Sequence, residues 1–159
     1  MEEAWTHRFP GAEDSVHLQD FLATPEGWAD KALVEKWARI RELRRVVTGA
    51  LEIARRDKVI GASLEAAPVL YVESEADAAL FRGMDLAEIA ITSAARVFTE
   101  APPADAFHLP EVPGAAAAFH AAEGEKCARC WMILPEVGSV AGAPDLCARC
   151  AEAVAGAGA

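Results

Sequence analysis

All four cysteines of the 159-residue chain lie in two copies of one tetrapeptide, Cys-Ala-Arg-Cys, near the C-terminus. Cys127 and Cys130 form the first copy, Cys147 and Cys150 form the second, and sixteen residues separate the two pairs. Two residues between thiolates allow one tight turn to direct both sulfurs at a common point, and a second such turn completes a tetrahedron. This spacing is typical of four-cysteine zinc sites, so the sequence predicts one bound Zn²⁺.

Other uses of paired cysteines explain the pattern less well. The N-terminal sequence has no apolar segment typical of a signal peptide, which predicts a cytoplasmic protein, and the cytosol disfavours disulfides. A redox Cys-x-x-Cys motif usually begins a helix in a thioredoxin-like unit, and no such pattern surrounds either pair. Iron–sulfur clusters usually have a different cysteine spacing. Because four thiolates leave no open position for water, the predicted zinc is structural and not catalytic.

The residues around the cysteines suggest how the zinc segment folds and what it contacts. The segment after Pro113 is too short for a large apolar core, so zinc is expected to supply its folding free energy, roughly 10–16 kcal/mol in small zinc modules. Lys126, Arg129 and Arg149 can offset the negative charge of four thiolates. Trp131 follows the second cysteine directly, and it could stack on an unpaired base or pack over the knuckle as part of a small core.

A long amphipathic helix is predicted between Trp28 and Asp57. Apolar residues recur there at three- and four-residue spacing and form one stripe along the helix. The stripe consists of Leu33, Trp37, Ile40, Leu43, Val47, Leu51 and Ala54. The rest of the sequence predicts few helices that could cover this stripe, so we expect its partner helices to come from outside this chain.

Positive charge is concentrated on the predicted helix. Nine of the fifteen Lys and Arg residues, with five acidic residues, lie between Asp30 and Lys58, so this segment carries +4 although the whole chain carries −10. A basic segment on an acidic body suits local contact with a polyanion. A solvated helix face would show the same run of charges, so charge alone leaves both explanations open.

The sequence as a whole predicts an α+β fold with a long amphipathic helix, a small mixed α/β unit and a C-terminal four-cysteine zinc-knuckle lobe. Residues 1–60 are expected to form an irregular arm and the helix, and residues 61–101 the α/β unit. In that unit "APVLYVE" predicts a strand, "SEADAALFRGM" a short helix capped by Ser74, and "DLAEIAITSAARVF" a strand pair or one bent strand. The Pro-rich residues 102–114 predict a linker. Residues 115–159 form the zinc segment, whose alanine-rich start we expect to be a strand although its composition also suits a helix.

No catalytic group is evident in the sequence. Nothing resembles a Ser/His/Asp set or a glycine-rich phosphate loop, and His108 and His120 are expected to be ordinary surface residues. No apolar run approaches the length of about eighteen residues that indicates a membrane span, so no membrane contact is predicted. The pattern therefore favours a binding function for this chain.

Three stretches of the sequence resemble bacterial isoleucyl-tRNA synthetases, in the order in which that family has them. "EGEKCARCW…LCARC" is similar to their C-terminal zinc-binding segment. "EKWARIRELRRVVTGALEIARRDKVIGASLEA" is similar to the end of their anticodon-binding helical domain, with the turn at Lys58 to Ala66, and "EAWTHRFPGAEDSVHL" to the arm before it. Family members are several times longer and carry the His-Ile-Gly-His and Lys-Met-Ser-Lys-Ser signatures and an editing domain, which are absent here. The resemblance therefore implies a C-terminal fragment.

The resemblance implies that this chain binds tRNA(Ile) in the anticodon region, while the rest of the synthetase charges that tRNA with isoleucine using ATP. The four cysteines match the family's zinc ligands, Trp131 matches an aromatic residue beside the anticodon end, and the basic helix matches a surface that faces the tRNA. Residues "WMILPEVG" depart from the polar residues expected after that tryptophan. The residues expected to contact tRNA are Trp131, Arg41, Arg45, Arg56, Lys58 and Arg129.

Two alternatives to tRNA recognition remain at the level of sequence. The chain could be a freestanding zinc-dependent module that binds RNA or DNA without any role in aminoacylation, since similar zinc modules end some DNA glycosylases. A glycosylase would need a catalytic N-terminal proline, whereas this chain begins Met1-Glu2-Glu3, and it would leave the turn at Lys58 to Ala66 unexplained. The zinc and the helix could also serve protein packing alone.

Overall fold

The computed structural model describes residues 1–11 and 15–156 and divides the chain into two units, Met1–Leu33 and Val34–Ala159. Parts of two predicted segments, residues 12–14 of the arm and 157–159 of the zinc segment, lie outside the described residues. The helices are α1 (Glu2–Arg8), α2 (Lys31–Arg56), α3 (Glu75–Ala79), α4 (Leu86–Ala90) and α5 (Ala148–Gly156). The strands are β1 (Val69–Val72), β2 (Arg96–Phe98), β3 (Phe107–His108), β4 (Ala115–Ala118), β5 (Glu125–Lys126) and β6 (Ile133–Leu134). Short 3-10 turns occupy Val16–Leu18, Glu26–Trp28 and Ser63–Glu65.

The N-terminal arm contains a helix, which corrects the prediction of an irregular segment. Helix α1 has two glutamates in its first turn and His7 and Arg8 in its last turn, the charge order that favours a helix dipole. The ring of Trp5 packs against Phe9 with centroids 4.5 Å apart. The Oγ of Ser15 donates to the carboxylate of Glu2. These contacts are local, so they can order a short helix without a large core.

The second unit is built on a four-stranded sheet with the strand order β2-β1-β4-β3. Strands β1 and β2 are parallel, and the other two pairs are antiparallel. Leu70 of β1 lies between Val97 of β2 and Ala117 of β4 in the register of the sheet. The expected α+β fold is therefore confirmed, and the strand predicted in "APVLYVE" is present as Val69–Val72. So is the helix α3, whose Ser74 side chain accepts the N–H of Ala76.

Helix α2 covers one face of this sheet, which corrects the expectation that its stripe needs helices from outside the chain. The buried side of α2, from Ile40 to Ala50, shares one apolar cluster with residues of β1 and β4. The cluster includes Ile40, Leu43, Val46, Val47, Ala50, Leu70, Val72, Val112, Ala115 and Ala117. Large apolar side chains of α2 remain in solvent at Leu33 and Val34 in its first turn and at Ile53 near its end. The sheet supplies the apolar surface that the sequence pattern required.

The segment "DLAEIAITSAARVF" forms helix α4 followed by strand β2, so the predicted strand pair is wrong in its first half. Asp85 accepts the N–H of Ala87 over 2.8 Å and caps the helix. Leu86 and Ala90 are buried four residues apart, which is helical spacing. Ile91 ends the helix with a φ of 59°. The sequence predicted a strand here because a single helical turn of apolar residues has the same pattern as a short buried strand.

The Pro-rich residues 102–114, expected to be a linker, contribute strand β3 to the sheet. Phe107 and His108 pair with β4, and an ideal Cβ placed on Gly49 of α2 would lie 2.3 Å from Cε1 of Phe107. The glycine therefore leaves the space in which the aromatic ring approaches the helix. The alanines of β4 form a strand, as expected, because β1 and β3 pair with both of its edges.

Candidate metal centre and nucleic-acid surface

The first cysteine pair sits on a short hairpin formed by β5 and β6. Gly124 begins the hairpin with a φ of +113°, and a Cβ there would lie 2.3 Å from the carbonyl carbon of Leu134. After β5 the chain turns back through the first Cys-x-x-Cys: the N–H of Cys127 donates to the carbonyl of Met132, and the N–H of Trp131 donates to the carbonyl of Cys127, both over 2.9 Å. Trp131 has a φ of 66°, which reverses the chain into β6.

The second cysteine pair begins helix α5. Cys147 precedes the helix and Cys150 lies in its first turn, so both sulfurs project from one turn of backbone. The N–H of Ala128 donates to the carbonyl of Asp145 over 2.9 Å, and the N–H of Cys147 donates to the Sγ of Cys127 over 3.4 Å. These bonds place the second turn against the first. The two copies of the tetrapeptide therefore face each other.

The four cysteine sulfurs fit one zinc ion. All four Sγ atoms lie within 4.8 Å of one another, and Cys127, Cys147 and Cys150 are buried. A tetrahedral Zn–S distance of about 2.3 Å requires sulfur–sulfur distances of about 3.8 Å. Cys130 and Cys147 have their sulfurs 3.8 Å apart. The predicted four-cysteine ligand set is thus assembled, and four thiolates make a closed, structural site for one Zn²⁺.

Hydrogen bonds to sulfur prepare these thiols unequally for the metal. Burial opposes ionisation of Cys127. The backbone N–H groups of Cys130, Cys147 and Arg129, however, donate hydrogen bonds to its sulfur and lower its pKa to about 6. Arg129 donates from Nη1 to the Sγ of Cys150 over 3.7 Å and holds the pKa of that thiol below its usual value. Burial raises the pKa of Cys147 to about 12. Zinc must therefore displace a proton from Cys147 when it binds.

The three basic residues predicted to offset the thiolate charge divide into two groups. Arg129 contacts Cys150, and contact with Cys130 raises the pKa of Arg149. Lys126 instead places its ammonium 5.7 Å from the centroid of the Trp131 ring. This distance is typical of a cation–π contact. The two arginines therefore contact cysteines of the metal site, whereas the lysine contacts the ring of Trp131.

Trp131 is exposed beside the metal site. The residue is 62% exposed, although its main-chain N–H donates to the carbonyl of Cys127 in the cysteine turn. The small apolar cluster of the lobe consists of the cysteines with Leu134, Val137 and Leu146, and it does not include Trp131. The alternative in which Trp131 packs over the knuckle as its core is therefore not what the structure has. A large aromatic face is presented to solvent.

The basic residues of α2 also divide into exposed and internal groups. Arg41 and Arg45 lie four residues apart on the exposed side of the helix. Arg56 is exposed and pairs with Asp57 at 2.8 Å, and Lys58 is exposed with a φ of 58° just beyond the helix. Arg39, Arg44 and Arg55 instead bond to groups of the chain itself: Asp77, the carbonyl of Ile89, and Glu52 with Ser63. His108 and His120 are exposed, as expected.

Two residues with structural roles near the proposed sites, Asp77 and Ser93, could not be identified from the sequence. Asp77 receives both Nε and Nη2 of Arg39, 38 positions away along the chain. Ser93 is buried and accepts the N–H of Ile133 in the hairpin of the first cysteine pair over 2.7 Å. Neither belongs to a motif, since each contact joins segments that are far apart in sequence. None of the helices in the described part of the chain is long and apolar enough to cross a membrane.

Comparison with known proteins agrees with the geometry of the metal site. Residues 124–153 match the family described as a zinc finger found in FPG and IleRS. The isoleucine–tRNA ligase of Ruegeria pomeroyi is 52% identical over 150 residues, which cover 94% of this chain and 15% of that protein. The ligase of Agrobacterium fabrum is 50% identical over 153 residues, and that of Brucella abortus 47% identical over 154 residues; each match covers 16% of the relative and 96% or 97% of this chain. The chain thus spans about one sixth of the length of these curated relatives.

Proposed function

The chain is similar over nearly its whole length to the C-terminal region of bacterial isoleucine–tRNA ligases, and from this premise we propose that it recognises the anticodon region of tRNA(Ile) for such a ligase. The remainder of that ligase, outside this chain, would join isoleucine to the tRNA with ATP. The zinc site folds the binding surface and takes no part in the reaction, since its four thiolates leave no open position. The partners are therefore the tRNA and the rest of the ligase.

The exposed indole of Trp131 is the observation that carries this proposal. A tryptophan held on a zinc-stabilised turn loses little side-chain freedom when a base stacks on it, and such stacking contributes about 1–3 kcal/mol per base. Single-stranded loops of RNA are commonly read by unstacked bases that pack on aromatic side chains. The ammonium of Lys126, 5.7 Å from the ring centroid, adds positive charge beside the place where a base and its phosphate would lie.

Basic side chains on α2 and in the zinc lobe would position the phosphates of the same RNA. Arg41 and Arg45 are exposed on one side of α2, and Lys58 follows its C-terminal end. Arg56 would exchange its exposed partner Asp57 for a phosphate, which costs little because water and salt screen an ion pair between exposed side chains. Arg129 would reach RNA only with the nitrogens that do not contact Cys150. Phosphate contacts of this kind fix orientation, while base contacts give specificity.

The proposal places this function in the cytoplasm. Four reduced thiolates at one metal are stable in a reducing compartment, where disulfides are rare. Translation of cytoplasmic messenger RNA requires charged tRNA in the same compartment. Aminoacylation itself would depend on domains that this chain does not contain.

Binding of a synthetic anticodon stem–loop of tRNA(Ile) tests the proposal on the full-length native polypeptide loaded with zinc. Trp131→Ala should weaken binding by about tenfold, because one stacked base is lost. Arg41→Ala with Arg45→Ala should reduce the slope of log K against log salt by about 0.7–0.9 for each lost phosphate contact. Trp28→Ala and Arg82→Ala are matched controls, since both residues are exposed and neither is among the residues proposed to contact the RNA.

Equal affinity for wild type and Trp131→Ala would remove the stacking role. An unchanged salt slope would mean that Arg41 and Arg45 form a solvated helix face and do not contact phosphates. A loss of affinity in the control variants as large as in the test variants would show that the effect is not specific to this surface.

A freestanding nucleic-acid-binding module is the second candidate, and the family description, which includes FPG as well as IleRS, favours keeping it. Immunoblotting of native cell extract with an antibody against this chain separates the two. A band several times heavier than 16.9 kDa supports the ligase, whereas a band at 16.9 kDa alone supports the freestanding module. Preference for duplex DNA over the anticodon stem–loop would also favour the second candidate.

A further inference from the structure

The zinc lobe, residues 124–156, meets the rest of its unit at a small joint. Among the hydrogen bonds of the described residues, one passes between the lobe and residues 34–122: the N–H of Ile133 donates to the Oγ of Ser93 over 2.7 Å. An open cleft of about 600 Å³ lies beside this bond, with Ala94 on one wall and Leu134 on the other. Because the side chains do not fill this space, apolar packing contributes little to the orientation of the lobe at this point.

Ser93 is held rigidly on the side of the sheet. Its residue is 4% exposed, its N–H donates to the carbonyl of Ala66 over 3.1 Å, and its Oγ donates to the carbonyl of Leu64. The hydroxyl therefore donates to one segment and accepts from another at the same time. A hydroxyl has one donor and can accept a further bond, so both capacities that the joint requires are met by this one group.

The segment that holds Ser93 is itself anchored to the end of α2. Arg55 donates from Nη2 to the Oγ of Ser63 over 3.0 Å, in the short turn Ser63–Glu65. The same turn is followed by Ala66, which packs in a buried cluster with Leu51 and Ala54 of α2. A continuous set of contacts thus leads from α2 through this turn to Ser93, and from Ser93 to Ile133.

Ile133 lies two residues after Trp131, on the strand that leaves the first cysteine turn. Zinc fixes the internal shape of the lobe, but it cannot fix how the lobe sits on the sheet, because all four ligands belong to the lobe. The bond to Ser93 can do so. The direction in which the indole of Trp131 faces therefore depends on a hydroxyl outside the metal site.

We propose that Ser93 is a positioning residue that holds Trp131 in a fixed orientation relative to the exposed arginines of α2, so that one RNA contacts both. This inference rests on the proposed function, since it assigns the joint a role in RNA binding. Ser93 is buried and acts through Ile133 and not by contact with RNA. Loss of the hydroxyl should leave the zinc bound and the sheet folded while the lobe becomes free to change its orientation.

Ser93→Ala and Thr92→Val, made in the zinc-loaded, full-length native polypeptide, form the test. Thr92 is also buried, and its Oγ1 donates to the carbonyl of Ala94 over 2.9 Å. Among the described residues its hydroxyl makes no hydrogen bond to the lobe, so Thr92→Val removes a comparable hydroxyl. Three quantities are measured for each variant. They are the zinc bound per chain, the hydrogen exchange of the peptide that contains Ile133, and the affinity for the tRNA(Ile) anticodon stem–loop.

Ser93→Ala should keep one zinc per chain. It should increase the hydrogen-exchange rate at Ile133 by about tenfold and lower the affinity for the stem–loop by about tenfold, because a buried hydrogen bond to a main-chain N–H is lost. Thr92→Val should leave both exchange and affinity within about twofold of wild type, which is below the effect of one buried hydrogen bond. Unchanged exchange at Ile133 in Ser93→Ala overturns the proposal. Faster exchange with unchanged affinity also overturns it, as does an equal loss of affinity in Thr92→Val.

Failure of the proposed function would look different. A wild-type protein that binds the anticodon stem–loop no better than a hairpin of scrambled sequence would overturn tRNA recognition, and with it the role of Ser93 in RNA binding. The exchange comparison would then still decide whether Ser93 holds the lobe. A wild-type protein that binds the stem–loop, with a Ser93→Ala variant that binds equally well, overturns the positioning role alone.

Discussion

The helix–sheet body, residues 34–122, and the zinc lobe keep their folds by different means. The body buries a continuous apolar cluster between α2 and the sheet, with Ile40, Leu43 and Leu70 fully buried. The lobe has a far smaller cluster, in which the buried members are Cys127, Cys147 and Cys150. The apolar side chains packed against this cluster, Leu134, Val137 and Leu146, are only half-buried.

This difference determines where each region is vulnerable. Each fully buried aliphatic side chain in the body contributes roughly 1.5–3 kcal/mol, so the loss of one is a partial loss spread over many contacts. In the lobe one ion replaces most of that burial, since structural zinc contributes roughly 10–16 kcal/mol in small modules. The body should therefore tolerate single changes that reduce its stability, whereas the lobe should fold or unfold as a whole with its metal.

Removal of zinc should give the largest effect and should separate the two regions. Chelation, or Cys147→Ser, should unfold residues 124–156 while the helical signal of α2 is retained, because the metal ligands all lie in the lobe. Limited proteolysis with mass spectrometry checks this by locating the cleavage sites. Wild-type protein re-loaded with zinc is the control. A Cys147→Ser protein that retains zinc and resists digestion would contradict the four-cysteine site.

A cavity in the body should give the next largest effect. Leu70→Ala should lower the free energy of unfolding by about 2–5 kcal/mol, because Leu70 of β1 is completely buried in the apolar cluster that the sheet shares with α2. Urea denaturation followed by far-ultraviolet circular dichroism measures the change. The zinc content should stay at one ion per chain, and loss of the metal in this variant would show that the two regions are not independent.

Gly49→Ala should destabilise the body although alanine is the better helix former. The gain in helix propensity is about 1 kcal/mol, but the new Cβ would lie 2.3 Å from Cε1 of Phe107, and overpacking costs about 1–3 kcal/mol. We expect a net loss of about 1 kcal/mol in urea denaturation. Gly49→Ala combined with Phe107→Leu is the matched control, in which the clash is relieved and the propensity gain should emerge. Net stabilisation by Gly49→Ala alone would show that the ring moves aside at little cost.

The ion pair between Arg39 and Asp77 should give the smallest effect. It joins α2 to α3 through two hydrogen bonds, and hydrogen bonding to Asp77 raises the pKa of Arg39. Because Arg39 is partly exposed, solvent screening limits the coupling to about 1 kcal/mol or less. A double-mutant cycle with Arg39→Ala and Asp77→Ala measures it, and the coupling should decrease as salt is added. A coupling several times larger would mean that the pair is shielded from solvent.

The comparison of the two regions also explains which sequence-based predictions succeeded. In the lobe, the ligand set was predicted correctly because two short turns place all four sulfurs, and short turns depend on local sequence. In the body, the cap at Ser74 also depends on local sequence, and helix α2 was predicted because its apolar residues recur at helical spacing. The prediction of a strand pair at "DLAEIAITSAARVF" was wrong, because five residues of helix are too few to show a helical period. The absence of partners for α2 was also wrong, because the covering strands lie later in the chain.

The sequence by itself determined the four zinc ligands and most of α2, which begins at Lys31 and not at the predicted Trp28, since each follows from spacing within a few residues or along one helix. Tertiary structure alone decided that the sheet covers α2, that Gly49 receives the ring of Phe107, and that Ser93 meets Ile133. These contacts join segments that are far apart in the sequence, and their geometry is set by packing of the whole unit. No local periodicity or motif carries that information, because the free energy of such contacts appears only when the distant segments are together.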